Sequence, residues 1–376
     1  MTATSAVASA EAGFGRLEPL LQSFDSAAEA ASAIMERDFR LAGATVRFRS
    51  PSSEMLRRLC RAFAHLELRD PVPTPDLVVN LWDSASGSPP PPLPHPGDEK
   101  APGAFFYFSN EVLRAGFQRG TSGDARVLEV YRDAPTPALS VLERGSTRAW
   151  YWVADAARIP YWDEATPLVY LLDWWLRERD MYMLHAGAVG TAAGGVVLVG
   201  KSGSGKSTTA LSSLDSDLVF AGDDYVGVSL GPQPEVHSFY SSGKLMQNHV
   251  ERLPFLLDAL ANRERLDAEK AVVYVTERWP ERMAPGFPLR AVLAPRVTPG
   301  LVEARILEAS PAEAFRALAP STVFQMHTRG QDSLVRARRL LEAVPSYVLE
   351  LGSDIASIPR AIGELVETLA DGAPGR

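Results

Sequence analysis

Residues 194–208 read GGVVLVGKSGSGKST, an apolar run that ends in a glycine-rich turn and then a lysine and two hydroxyl residues. The run Val196–Val199 suits a buried strand, and the STTALSSL that follows the turn suits the start of a helix. Within the turn, Gly200 is followed by four residues and then by Gly205, Lys206 and Ser207, the spacing of a phosphate-binding P-loop. Glycines let the backbone curl so that successive N–H groups face phosphate oxygens, and the next helix adds the positive end of its dipole. Gly200, Lys201, Ser202, Gly203, Ser204, Gly205, Lys206, Ser207 and Thr208 are therefore the expected nucleotide-binding residues. ATP and Mg²⁺ are the expected cofactors, with Lys206 reaching the β- and γ-phosphates and the Ser207 hydroxyl on the metal.

Two further segments sit close to this loop in sequence. Residues 218–224, LVFAGDD, form a second short apolar run that ends in adjacent carboxylates, Asp223 and Asp224. One carboxylate can hold Mg²⁺ or its water while the other accepts the proton of an attacking hydroxyl; alternatively, the pair merely ends a strand and opens a turn. Upstream, His185 lies in LHAGAVG. A histidine there can hydrogen-bond an aspartate or orient a phosphate oxygen, or it can be structural, and its chemistry alone does not choose.

At 376 residues and 46% hydrophobic content, the chain has room for one large or two ordinary domains. A net charge of -8 argues against a nucleic-acid partner. The single cysteine, Cys60, excludes an internal disulfide framework and a thiolate metal cluster. The opening MTATSAVASAEAGFGR lacks a basic, then apolar, leader pattern, and no 18 apolar residues run together, so the expectation is a cytoplasmic protein without a membrane partner. Those first residues are expected to be a frayed terminus.

Apolar spacing predicts helices over Ala27–Leu41, Ser53–Leu66 and Thr166–Arg179, and strands over Thr45–Phe48, Asp76–Trp82, Ala104–Ser109, Ala125–Tyr131, Ala138–Leu142 and around Trp150–Trp152. Residues 84–103, SASGSPPPPLPHPGDEKAPG, read as an exposed loop. The expected division is an N-terminal α+β domain over 1–158 and a P-loop domain over 159–376.

Taken together, LHAGAVG, GKSGSGKST and AGDDYV, in that order and at that close spacing, resemble the HPr kinase/phosphorylase family, which shares its P-loop fold with phosphoenolpyruvate carboxykinases. The resemblance covers roughly Pro160–Leu369. It implies an α/β fold: a P-loop kinase domain with a mixed central sheet, preceded by the smaller α+β domain. It also implies that His185, Lys206 and Asp224 are catalytic, with Asp224 the base when a serine hydroxyl attacks the γ-phosphate, and that Ser207 is a Mg²⁺ ligand. Asp223 is our own addition to the metal site, acting through water.

Downstream, the family's arginine- and glycine-containing segment tied to phosphorolysis is not found, and the chain looks more like the divergent branch in bacterial peptide-tailoring clusters, lasso-peptide serine kinases included. The expected acceptor is a serine on a peptide or protein, and the family also implies a homo-oligomer. Two alternatives use the same donor chemistry: a kinase of a sugar or other small metabolite, and a regulatory ATPase that transfers no phosphate. No NKxD or LSGGQ sequence supports the latter. Ser241, Ser242 and Lys244 form either a substrate or phosphate loop or an ordinary turn.

Overall fold

The structure is a computed structural model that describes residues 17–85, 87–88, 90–91, 105–110, 113–121, 127–133, 138–143, 145–323 and 330–372. The expected frayed terminus lies outside the described residues, as does most of the proline-rich loop over 84–103. The chain packs as two units: Met1–Arg61 with Glu67–Glu178, and Ala62–Leu66 with Arg179–Arg376.

The N-terminal unit is an eight-stranded sheet with helices. In chain order its strands are β1 (Met35–Leu41), β2 (Ala44–Ser50), β3 (Leu77–Asp83), β4 (Phe105–Asn110), β5 (Leu113–Thr121), β6 (Val127–Asp133), β7 (Ala138–Glu143) and β8 (Arg148–Val153). They are arranged β1-β2-β3-β8-β7-β6-β5-β4, parallel at β2/β3 and β3/β8 and antiparallel elsewhere. Helix α1 spans Leu17–Ala30 and α2 spans Ser53–Cys60. The Ser52 hydroxyl caps α2 by accepting the Met55 N–H, and the helix buries Met55, Leu56, Leu59 and Cys60.

One expected element changes type here. The helix anticipated over Ala27–Leu41 stops at Ala30, and Met35–Leu41 is strand instead. Leu41 pairs with Ala44 across a two-residue turn in which Ala42 and Gly43 both have positive φ, 47° and 81°. That turn matches strand twist, and the hairpin adds a cross-strand ion pair between Arg47 Nε and Asp38 Oδ1 at 2.7 Å. Pairing outweighed the helical spacing. Helix α3 (Val169–Arg177) packs against β7 within the N-terminal unit, and the main segment of the C-terminal unit starts at Arg179.

The C-terminal unit holds β9 (Met181–Leu184), β10 (Gly187–Thr191), β11 (Gly194–Leu198), helix α4 (Lys206–Ser212), β12 (Val219–Gly222), β13 (Val226–Ser229), β14 (Glu235–His237), β15 (Ser242–Leu245), β16 (Ala271–Tyr274) and β17 (Gly286–Val297). Helices α5 (Pro311–Leu318), α6 (Gly330–Ala343) and α7 (Ser357–Asp371) complete it, with β18 (Arg305–Glu308) and β19 (Ser346–Leu351). The main sheet runs β12-β10-β11-β17-β14-β13-β9, with β19 and β18 continuing from β17. It is mixed: β11/β17 and β17/β19 are parallel, whereas β10 is antiparallel to both its neighbours. β17 is long enough to pair β14 through its first residues and β19 through its last.

Strand alternation sends Val196, Leu198, Leu293 and Leu351 to one face, where α4 and α7 cover them with Leu211, Ile358 and Ile362. The other face carries Val197, Val199 and Val292 beneath α5 and α6. Both faces are buried, which accounts for the continuous apolar runs along these strands.

His65 belongs to the segment that packs with this unit, and its Nε2 lies 2.7 Å from Ser238 Oγ. Its Nδ1 is buried without a hydrogen-bond partner, and burial pushes the imidazole from 6.5 down to about 3. Between those values the unfolded chain binds a proton that the folded chain does not, so this group's contribution to stability falls as pH drops through that window. A His65→Gln variant followed by circular dichroism is expected to unfold at lower pH than the parent. Coincident acid transitions would show that His65 does not set acid sensitivity.

Candidate active site

Three connections meet at one edge of the main sheet because of strand register. Gly187 of β10 lies opposite Leu198 of β11, and Ala188 lies opposite Gly222 of β12. Since β10 runs against both neighbours, residues just before Gly187, just after Leu198 and just after Gly222 all leave from the same edge. These are His185, the glycine-rich loop and the Asp223–Asp224 pair. Leu184 also pairs with Val226, so the short link through His185 and the link through Asp223–Tyr225 run side by side.

Between β11 and α4, the loop needs glycine at two positions. Gly203 has φ 78° and Gly205 φ 106°, a region that other residues adopt only at a cost. A side chain at Gly205 would also collide with Leu351, which closes the loop from the end of β19. Lys201, Ser202 and Gly203 form the exposed tip, whereas Lys206 is buried to 7% exposure. The Lys206 ammonium donates to the carbonyls of Gly200 at 2.5 Å and Lys201 at 3.4 Å, curling back over its own loop. Burial lowers its proton affinity from the ordinary lysine value, and Asp223 and Asp224 act in the opposite direction.

The two aspartates have different surroundings. Asp223, 1% exposed, accepts the Lys244 backbone N–H through Oδ2 at 3.0 Å. Burial first, and then the charge of Asp224, push Asp223 above the usual carboxylate range. Asp224 adopts φ 64°, and its Oδ2 pairs with the Lys244 ammonium at 2.6 Å while Oδ1 lies 3.6 Å from His185 Nε2. Burial opposes its charge, yet Lys244 and His185 outweigh burial and hold Asp224 well below the usual range. The two carboxyls are thus set apart, burial raising the proton affinity of one and neighbouring cations lowering that of the other. Tyr225 stacks on the His185 ring at 5.1 Å between centroids and 24° between planes, fixing the imidazole's plane.

The residues present fit a hard divalent cation. Oδ1 of Asp223 is buried without a hydrogen-bond partner, and the Ser207 hydroxyl lies beside this carboxyl, so two oxygen donors of the kind such a cation prefers are neighbours. Among the described residues no group of three or more His, Cys, Asp and Glu gathers as a self-sufficient metal cluster. A cation here would complete its shell with phosphate oxygens and water, the usual habit of Mg²⁺.

Lys206, Ser207, Asp223, Asp224 and His185 are therefore brought together. Of the segment Ser241, Ser242 and Lys244, Lys244 reaches both carboxylates. Ser241 is fully buried, donating its N–H to the Ala62 carbonyl and accepting the Val275 N–H. Tyr225 was not anticipated, although its position directly after the aspartate pair was the available signal. Among the described residues no helix is long and apolar enough to cross a membrane.

No protein-family model matches this chain, and no curated protein matches it. Among solved structures, it is similar to the Hpr(Ser) kinase/phosphatase from Coxiella burnetii at 11% identity and a TM-score of 0.28, over 51% of this chain and 99% of that one.

Proposed function

We propose that this protein is a Mg²⁺- and ATP-dependent phosphotransferase that moves the γ-phosphoryl group onto a hydroxyl, with a serine of a peptide or protein as acceptor. The observation that carries this reading is the convergence, at one sheet edge, of a glycine-rich loop with its lysine, an ionised Asp224 and a buried Asp223 with an unpartnered oxygen. Loop N–H groups and Lys206 would hold the phosphates. Ser207 and Asp223 would hold Mg²⁺, which when bound neutralises charge on the phosphate oxygens.

Asp224 would orient the acceptor hydroxyl and take its proton as the acceptor oxygen bonds to the γ-phosphorus and the bond to the bridging oxygen breaks, releasing ADP. His185 would hold the Asp224 carboxylate in place through its Nε2. A bulk-water path for a stray nucleophile is limited by the burial of Lys206, Asp223 and Lys244.

The test is incubation of the full chain with γ-labelled ATP, Mg²⁺ and a panel of serine-containing peptides, read by intact mass. One added phosphate on a peptide supports the reading. Release of free phosphate alone would replace it with an ATPase, and label on metabolites but not peptides would move the acceptor to small molecules.

A further inference from the structure

β15 and β16 form a two-stranded ribbon apart from the main sheet. Leu245, Ala271 and Val273 join the core that includes Leu211 of α4, and a side chain at Gly243 would run into the same leucine. The ribbon is therefore seated against the helix that follows the glycine-rich loop. Strand alternation turns Lys244 to the ribbon's other face, and its backbone is fixed on two sides. Lys244 pairs with Val272 of β16, whose N–H is held in turn by Asn262 Oδ1 at 2.9 Å, and its own N–H donates to Asp223 Oδ2 at 3.0 Å.

From this fixed point the Lys244 ammonium meets Asp224 Oδ2 at 2.6 Å, on a lysine side chain that is only 6% exposed. A buried ammonium needs a close anion, and a charge-assisted contact of this kind is among the stronger hydrogen bonds in a protein. The other oxygen is held less tightly, since Oδ1 lies 3.6 Å from His185 Nε2. The last torsion of a free aspartate is broad and roughly two-fold, so such a carboxylate presents either oxygen equally. With Oδ2 tied to Lys244, the two oxygens of Asp224 are no longer equivalent.

We infer that Lys244 is the positioning residue of the base: it ties Asp224 Oδ2 and so directs Oδ1 to the acceptor hydroxyl. This inference rests on the phosphotransferase reading and assigns the proton-accepting atom within it. In the transfer step the acceptor O–H bond breaks and its proton passes to Oδ1. The acceptor oxygen bonds to the γ-phosphorus, and the electron pair of the broken bond to the bridging oxygen leaves with ADP. Lys244 keeps its protons throughout, because its contact is with the oxygen that takes no proton. Its N–H on Asp223 and its ammonium on Asp224 also set the spacing of the two carboxyls from one residue.

The test is steady-state transfer from ATP, with Mg²⁺, to a serine-containing peptide that the parent phosphorylates. Lys244→Met is expected to lower kcat about tenfold to a hundredfold, the loss of one charge-assisted contact, while KM for ATP and the calorimetric affinity for the non-hydrolysable analogue AMP-PNP change less than about threefold. Because Lys244 acts through Asp224, the double variant Lys244→Met/Asp224→Asn should be no more than about twofold slower than Asp224→Asn alone. A lysine acting on the phosphates directly would slow the double variant further. Melting curves establish that the variants fold; if the methionine variant does not, Lys244→Gln gives the same comparison. Unchanged kcat, a parallel loss of nucleotide affinity, or multiplied losses in the double variant would overturn the inference and leave the phosphotransferase reading standing. A parent protein that phosphorylates no acceptor overturns both.

Discussion

Asp224→Asn is expected to slow phosphoryl transfer about 100- to 10,000-fold, the range for removing a positioned general base, while nucleotide binding stays close to that of the parent. Asparagine keeps the size of the side chain and is among the few residues that tolerate the positive φ found at this position. What it removes is the negative charge facing Lys244 and His185, and with it the acceptor for the hydroxyl proton. Lys206→Ala is expected to act differently. It takes away a buried cation from the phosphate side, with a loss of about 100- to 1,000-fold in rate and a parallel loss of nucleotide affinity. Single-turnover kinetics together with calorimetric titration separate the two patterns. Full transfer activity in Asp224→Asn would remove Asp224 from the base role, whatever Lys206→Ala does.

The second large effect is on stability. Phe220 is fully buried on β12, in the core between the main sheet and helices α4 and α7. Its replacement by alanine is expected to destabilise the C-terminal unit by about 3–5 kcal/mol, through lost transfer energy and an unfilled cavity. Because β12 leads straight into Asp223 and Asp224, activity should fall along with the melting temperature. The measurement is denaturant unfolding followed by probes in each unit, since the chain packs as two units and a single transition cannot be assumed. A shift below about 1 kcal/mol would mean that the cavity collapses, and that the packing around β12 is looser than its burial indicates.

Legibility in the sequence varied with the physical origin of each feature. The glycine-rich loop could be read directly because its conformation is local: glycines at positive φ, a lysine and a hydroxyl at fixed spacing, an apolar run before and a helix after. Strands β2, β3, β4, β6, β7, β8, β11 and β12 were also readable from their apolar residues. β1 was not, because MERDFRL is compatible with helix and becomes strand only through its hairpin partner and a turn that accepts two positive φ values. Apolar periodicity reports which residues are buried; it does not report the partner that buries them.

The same division runs through the candidate site. Sequence alone revealed the glycine-rich loop, the adjacent carboxylates and the histidine as separate pieces, since each is a local pattern of residue types. Their meeting depends on β10 running against both β11 and β12, with Leu184 paired to Val226, a register set by side-chain packing across the whole sheet. The opposite shifts in proton affinity of Asp223 and Asp224 are likewise invisible in the string DD. They arise because burial dominates at Asp223, whereas the ammonium of Lys244, distant in sequence, and His185 outweigh burial at Asp224. Local spacing determined the glycine-rich loop. Only tertiary structure decided which charges surround it, because burial and proximity are properties of the packed chain.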